Sequence, residues 1–119
     1  MHKNHFLVHF FIIITAFIHG ALYSQDVEII SEGETRTFKI NLPNDTSEPL
    51  PLMILMHGLG ETNSNMYGVA NYFSNRNFIA IRPQSGSYLN SSGSGYTTLW
   101  NALADTQKLD DVQFISDII

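Results

Sequence analysis

The chain has 119 residues, 44% hydrophobic and 14% charged, with no cysteine and a formal net charge of -5, so its length caps it at one small domain. Residues 25–119 carry eleven acidic against five basic side chains, which excludes the clustered Lys and Arg of a nucleic-acid-binding surface. His2, His5, His9 and His19 all lie in the leading segment, leaving His57 alone in the remainder; with no cysteine, this excludes multi-histidine and thiolate metal sites, disulfides and a cysteine nucleophile.

The leading segment pairs Lys3 with a thirteen-residue apolar run, Phe6 to Ile18, broken by His9 and Thr15. That is the length of a signal-peptide core and short for a bilayer span. Small residues at Gly20, Ala21 and Ser24 allow cleavage near Ser24, so residues 1–24 are expected to be a signal peptide and residues 25–119 the exported part. The product is expected outside the cytoplasm, extracellular or periplasmic, with no stable membrane insertion. The competing reading is an uncleaved anchoring helix, which would bury His9 and His19 if it extended to Tyr23. Asn44-Asp45-Thr46 and Asn90-Ser91-Ser92 are glycosylation acceptors only in a eukaryotic secretory pathway.

Val27 to Ile30 and Thr35 to Ile40 flank Ser31-Glu32-Gly33-Glu34 and predict a half-exposed hairpin at a sheet edge. Asn41 to Pro51, with three prolines, is a surface loop. Leu52 to Met56 is continuously apolar, which predicts a strand covered on both faces, ending at His57-Gly58-Leu59-Gly60. Met66, Val69, Ala70 and Phe73 lie at helical spacing and predict a helix over Asn65 to Asn75, stopped by Asn75 and Asn77. Phe78 to Ile81 is a second apolar strand ended by Pro83, completing one βαβ unit. Residues 84–98 read as a long polar loop carrying Tyr88 and Tyr96. Asp110 with Gln113 predicts the N-cap of a last helix, whose apolar face is Val112, Ile115, Ile118 and Ile119. The fold class is α/β, an edge hairpin plus a parallel βαβ unit. Such an assembly leaves an apolar strand edge unpaired, so the chain is expected to be the front part of a longer protein.

A strand running into His-Gly-X-Gly, then a polar loop and a helix, is the layout in which an α/β-hydrolase builds half of its oxyanion hole. The chemistry requires a backbone N–H aimed at an ester carbonyl oxygen as it becomes negative. Glycines let the backbone turn sharply and approach substrate without a Cβ in the way. His57 lacks a partner serine at a nucleophile turn and is read as holding this loop by hydrogen bonding. Gly93-Ser94-Gly95 has neither the spacing nor the preceding apolar strand of Gly-X-Ser-X-Gly. Asp110 and Asp111 fit helix-cap and first-turn positions favoured by the helix dipole better than the paired carboxylates of a glycosidase. Gly58-X-Gly60 lacks the third glycine of a dinucleotide site, Asn63 standing in its place.

The string Pro49 to Gly60, the downstream Phe78 to Gln84, the run Leu109 to Ile115 and the early Thr35 to Phe38 together resemble the family of secreted esterases that includes polyhydroxybutyrate depolymerases and feruloyl esterases. The resemblance runs from about residue 33 to the end with order and spacing preserved. It implies the α/β-hydrolase fold, here as its N-terminal part ending before the nucleophile strand, and a Ser-His-Asp triad outside these residues. It also implies that Leu59 N–H is one oxyanion donor, with His57, Gly58 and Gly60 forming the oxyanion loop. A Trp-Asn pair such as Trp100-Asn101 resembles the family, and Trp100 and Tyr96 are expected to line the substrate cleft; packing under the loop is the other reading of the tryptophan.

The expected function is therefore a secreted serine carboxylesterase acting without cofactor or metal. Its substrate would be an ester, polymeric ones included: a feruloyl or acetyl ester of a plant polysaccharide, or a polyester. Residues 25–119 alone are expected to be inactive. A prolyl-oligopeptidase-like serine peptidase is the rival within the fold. A non-catalytic carbohydrate-binding module stacking sugars on Tyr88, Tyr96 and Trp100 is the rival outside it.

Overall fold

The computed structural model describes residues 24–119, and the signal-peptide expectation for residues 1–24 lies outside them except at Ser24. Ser24–Ser31 (β1) and Glu34–Asn41 (β2) form the expected hairpin, in register from Ser24 opposite Asn41 to Ser31 opposite Glu34. Its two central residues, Glu32 and Gly33, take φ of 49° and 80°, the left-handed pair that a two-residue hairpin turn requires. Leu52–Ile54 (β3) and Ile79–Pro83 (β4) are parallel, joined by a 3-10 turn at Asn63–Met66 and the helix Tyr67–Ser74 (α1). β2 pairs antiparallel with β4, which gives a mixed sheet of order β1-β2-β4-β3.

Alternation along β4 explains the layers. Ile79 and Ile81 face the last helix, Asp111–Ile118 (α2), packing with Phe38 and Ile40 of β2 and with Phe114, Ile115 and Ile118. Ala80 faces the other way, where Ala70 and Phe73 of α1 pack with Met53 and Leu55. The sheet thus carries one helix on each face, a partial α/β arrangement that is mostly β.

Four expectations change. Residues 84–98 are not a polar loop: Gly86–Leu89 (β5) pairs with Tyr96–Leu99 (β6) as a second, two-stranded sheet whose tip holds the Ser and Gly residues. The repeated Ser, Gly and Thr hide the alternation that marks a strand. β3 is shorter than the apolar run and is not covered on both faces; among the described residues it has β4 as its one neighbour, with Leu52 and Met56 exposed. The predicted helix over Asn65 to Asn75 splits into the 3-10 turn and α1, and Val69 is exposed. On α2 the inward stripe is Asp111, Phe114, Ile115 and Ile118, whereas Val112 and Ile119 are exposed. The stripe is rotated because Asp111 has a partner inside the protein. Asp110 caps α2 as expected, its Oδ1 accepting the Gln113 N–H at 2.9 Å.

Beside Ala80 on the α1 face, Arg82 is 1% exposed and holds three elements together. Its guanidinium donates to Asn41 Oδ1 at 3.1 Å, to the Asn63 carbonyl at 3.1 Å and to Ser24 Oγ at 2.6 Å. Burial lowers its pKa from the ordinary arginine value, opposed by nearby Tyr67 and Asp26. The contact with Ser24 ties β1 directly to β4.

Candidate functional site

β3 delivers the chain to His57 at the open edge of the sheet, and the following residues turn back at once. Glu61 N–H donates to the Gly58 carbonyl at 3.2 Å, closing a four-residue turn with Leu59 and Gly60 at its centre. Gly60 takes a φ of 75°, the conformation of the third residue of a type II turn, where glycine is favoured. At Gly58 a Cβ would stand 3.0 Å from Glu61 Oε2, so a side chain there would press on the carboxylate that accepts the Gly58 N–H.

The turn is held from every side. Gly58 N–H donates to Glu61 Oε2 at 2.8 Å, and Gly60 N–H donates to the Thr98 carbonyl of β6 at 2.9 Å. Thr98 Oγ1 donates to the Glu61 carbonyl at 2.6 Å. Thr62 N–H donates to Asn65 Oδ1 and Asn63 N–H to Gln84 Oε1, each at 2.9 Å. From Gly58 to Asn63, the N–H without an acceptor among the described residues is that of Leu59, and Leu59 is 75% exposed. An unpaired N–H at the apex of a turn whose neighbouring amides are all bonded is equipped to donate to a ligand oxygen.

His57 is 3% exposed, and its roles follow from its partners. Nδ1 lies 2.8 Å from the Gly58 carbonyl, which only accepts, so Nδ1 carries the proton. Nε2 lies 3.1 Å from the Ser85 N–H, which only donates, so Nε2 presents its lone pair. Gln84 Nε2 reaches the same nitrogen at 3.1 Å. With both ring nitrogens engaged inside the protein, His57 has none to offer a nucleophile. It anchors the loop.

Trp100 supplies the second anchor. Its indole N–H donates to the His57 carbonyl at 2.9 Å, and the two rings lie 5.1 Å apart at 40°. Trp100 is half-buried and so is partly committed to packing under the loop. Tyr96 is 74% exposed and shares its face of β6 with Thr98, about 7 Å along the strand from the residue that grips Gly60. Tyr88 pairs with Thr97, and Tyr96 pairs with Leu89, so the two tyrosines project from opposite faces of the hairpin. The Tyr88 hydroxyl instead accepts the Leu109 N–H at 3.1 Å. The structure therefore gathers His57, Gly58, Leu59, Gly60 and Trp100 into one place with Tyr96 at its rim, and leaves Tyr88 elsewhere.

Ser85, Thr98 and Glu61 belong to this site and escape a reading of the sequence by motif, as does the role of Gln84, which closes the Phe78 to Gln84 run of the resemblance. The one signal for Gln84 is its place directly after the last residue of an apolar strand, where the chain leaves the sheet beside the end of β3. Among the described residues no cluster of three or more His, Asp or Glu side chains could hold a metal ion. Among them, too, no helix is long and apolar enough to cross a membrane. No protein-family model matches the chain, and no curated protein matches it.

Proposed function

We propose that this chain forms the oxyanion-binding front part of a secreted serine ester hydrolase of α/β-hydrolase fold. The observation that carries the reading is the Leu59 N–H, without an acceptor among the described residues, at the apex of a turn whose other amides from Gly58 to Asn63 are all bonded, on a residue that is 75% exposed. The mixed sheet supports it, since an edge hairpin followed by a parallel βαβ unit brings β3 to the sheet edge with the His-Gly-Leu-Gly loop at its carboxyl end. Ligand sites of open α/β sheets lie at the carboxyl ends of strands.

In this mechanism a serine outside the 119 residues attacks the ester carbonyl. A histidine takes its proton and later returns it to the leaving alcohol, an acid orients that histidine, and water releases the acyl group. The part played by these residues is electrostatic. Leu59 N–H meets the carbonyl oxygen as charge develops on it, and because the turn is already held by Thr98, Glu61 and Trp100, little reorganisation is needed. No cofactor enters. Tyr96 at the rim and the exposed edge of Trp100 would contact the acyl or sugar part of a feruloyl, acetyl or polyester substrate. The opposite orientation of Tyr88 and Tyr96 deprives the sugar-binding alternative of a common stacking surface.

The test is to express the protein together with the reading frame that follows Ile119 and assay p-nitrophenyl acetate and feruloyl esters. Saturable hydrolysis, abolished by a serine-directed phosphonate, is expected. Absence of turnover, or turnover indifferent to the phosphonate, would overturn the reading.

A further inference from the structure

The loop that presents Leu59 begins at His57 and ends at Asn63, and one side chain touches both ends. Gln84, on leaving β4, accepts the Asn63 N–H on Oε1 at 2.9 Å and directs Nε2 to His57 Nε2 at 3.1 Å. The orientation of this amide is fixed by its partners. Asn63 N–H can only donate, so the oxygen faces it; His57 Nε2 already accepts from Ser85 N–H, so the nitrogen faces the ring. Gln84 is itself anchored, its backbone N–H donating to the Thr37 carbonyl of β2 at 3.0 Å.

We propose that Gln84 is the positioning residue for the Leu59 donor, a single amide that ties both ends of loop 57–63 to the central sheet. This rests on the esterase reading for its purpose but on the geometry alone for its existence. Only glutamine meets both demands at this reach. Glutamate would keep an acceptor for Asn63 but set a carboxylate oxygen against the His57 lone pair. The pair becomes compatible if His57 takes a second proton on Nε2, and that proton displaces the Ser85 N–H from its acceptor. Methionine has similar length and neither function.

The experiment follows residue-resolved amide exchange and the His57 ring nitrogen shifts in the full chain, as wild type, Gln84→Met and Gln84→Glu. In the wild type the ring shows the Nδ1–H tautomer. In Gln84→Met the Asn63 and Gly60 amides exchange about tenfold faster, the scale of one lost hydrogen bond, while the β1–β2 ladder is unchanged. In Gln84→Glu the Asn63 amide stays protected, Ser85 loses protection, and the His57 Nε2 shift moves to that of a proton-bearing ring nitrogen.

An Nε2–H tautomer in the wild type, or unchanged Asn63 and Gly60 exchange in Gln84→Met, overturns the proposal. Should the methionine variant also lose the β1–β2 ladder, the glutamate variant decides: Asn63 protected with Ser85 unprotected supports the clamp, and any other pattern overturns it. None of these readouts uses an ester, so an inactive longer protein with the expected exchange pattern would remove the esterase reading and leave the clamp. An active enzyme in which Gln84→Met leaves kcat unchanged would remove Gln84 from its positioning role and leave the esterase reading.

Discussion

Trp100 donates its indole N–H to the carbonyl of His57 across 43 residues of chain, at 2.9 Å, with the two rings 5.1 Å apart. The contact ties the strand-end loop to the segment after β6. It also redefines the tryptophan: its polar edge is spent on the loop backbone, and part of its apolar surface packs on the core of Phe38, Ile81 and Phe114. Trp100→Phe keeps a ring against His57 and removes the donor. Leaving that buried carbonyl unsatisfied should cost about 1–3 kcal/mol, read by urea unfolding. Unchanged stability would show that water replaces the indole.

Leu59 occupies the second position of a turn whose third residue, Gly60, has a φ of 75°. Proline is common at that second position of a type II turn, so Leu59→Pro deletes the N–H while suiting the local backbone. In an active longer form of the protein, kcat should fall about 100- to 1,000-fold, the usual cost of one oxyanion donor. Leu59→Ala should retain most activity, and both variants should give circular dichroism like the wild type. A folded Leu59→Pro enzyme with near-normal kcat would reduce His57 to Gly60 to a turn.

Adjacent aspartates at the start of α2 should behave very differently. Asp110 caps the helix from the surface, so Asp110→Ala should cost about 0.5–2 kcal/mol. Asp111 is buried against Arg36 at 2.5 Å and also accepts the Asn101 N–H at 2.6 Å, while the Arg36 guanidinium lies 3.9 Å from the Phe114 ring centre. Asp111→Asn leaves a buried cation without its counter-charge, at a cost of about 3–5 kcal/mol in chemical denaturation. Equal effects at the two positions would contradict the buried pairing.

Acid should loosen the far end of α2. Hydrogen bonds from Ser31 first, then Gln113, hold the Asp117 carboxyl below its ordinary value of 3.8. A carboxyl whose pKa is depressed by folding stabilises the native state above its unfolded pKa, and that contribution disappears as pH falls through the folded pKa. Asp117→Asn should therefore be less stable than wild type at neutral pH, and the gap should close as pH drops below about 3.8. A gap independent of pH would assign the effect to packing.

Local chemistry was enough for the hairpin, the βαβ unit, the cap at Asp110 and the position of the Gly-rich turn to be read from the chain. Alternation, helical spacing and glycine placement act within a few residues. The sequence also singled out His57 as an anchor, since no serine stood where a base would need one. Tertiary structure alone decided the rest. Whether Asp111 faces solvent or Arg36 depends on a strand 75 residues away, and with it the rotation of α2 that leaves Val112 outside. The strands hidden in residues 86–99 appear because β5 and β6 satisfy each other's backbone groups, which small polar side chains do not announce. Which amide of the loop stays unpaired was likewise set largely at a distance: Thr98 and Gln84 reach in from β6 and the end of β4 to claim two of its neighbours, Glu61 claims a third locally, and Leu59 is left with an N–H to give.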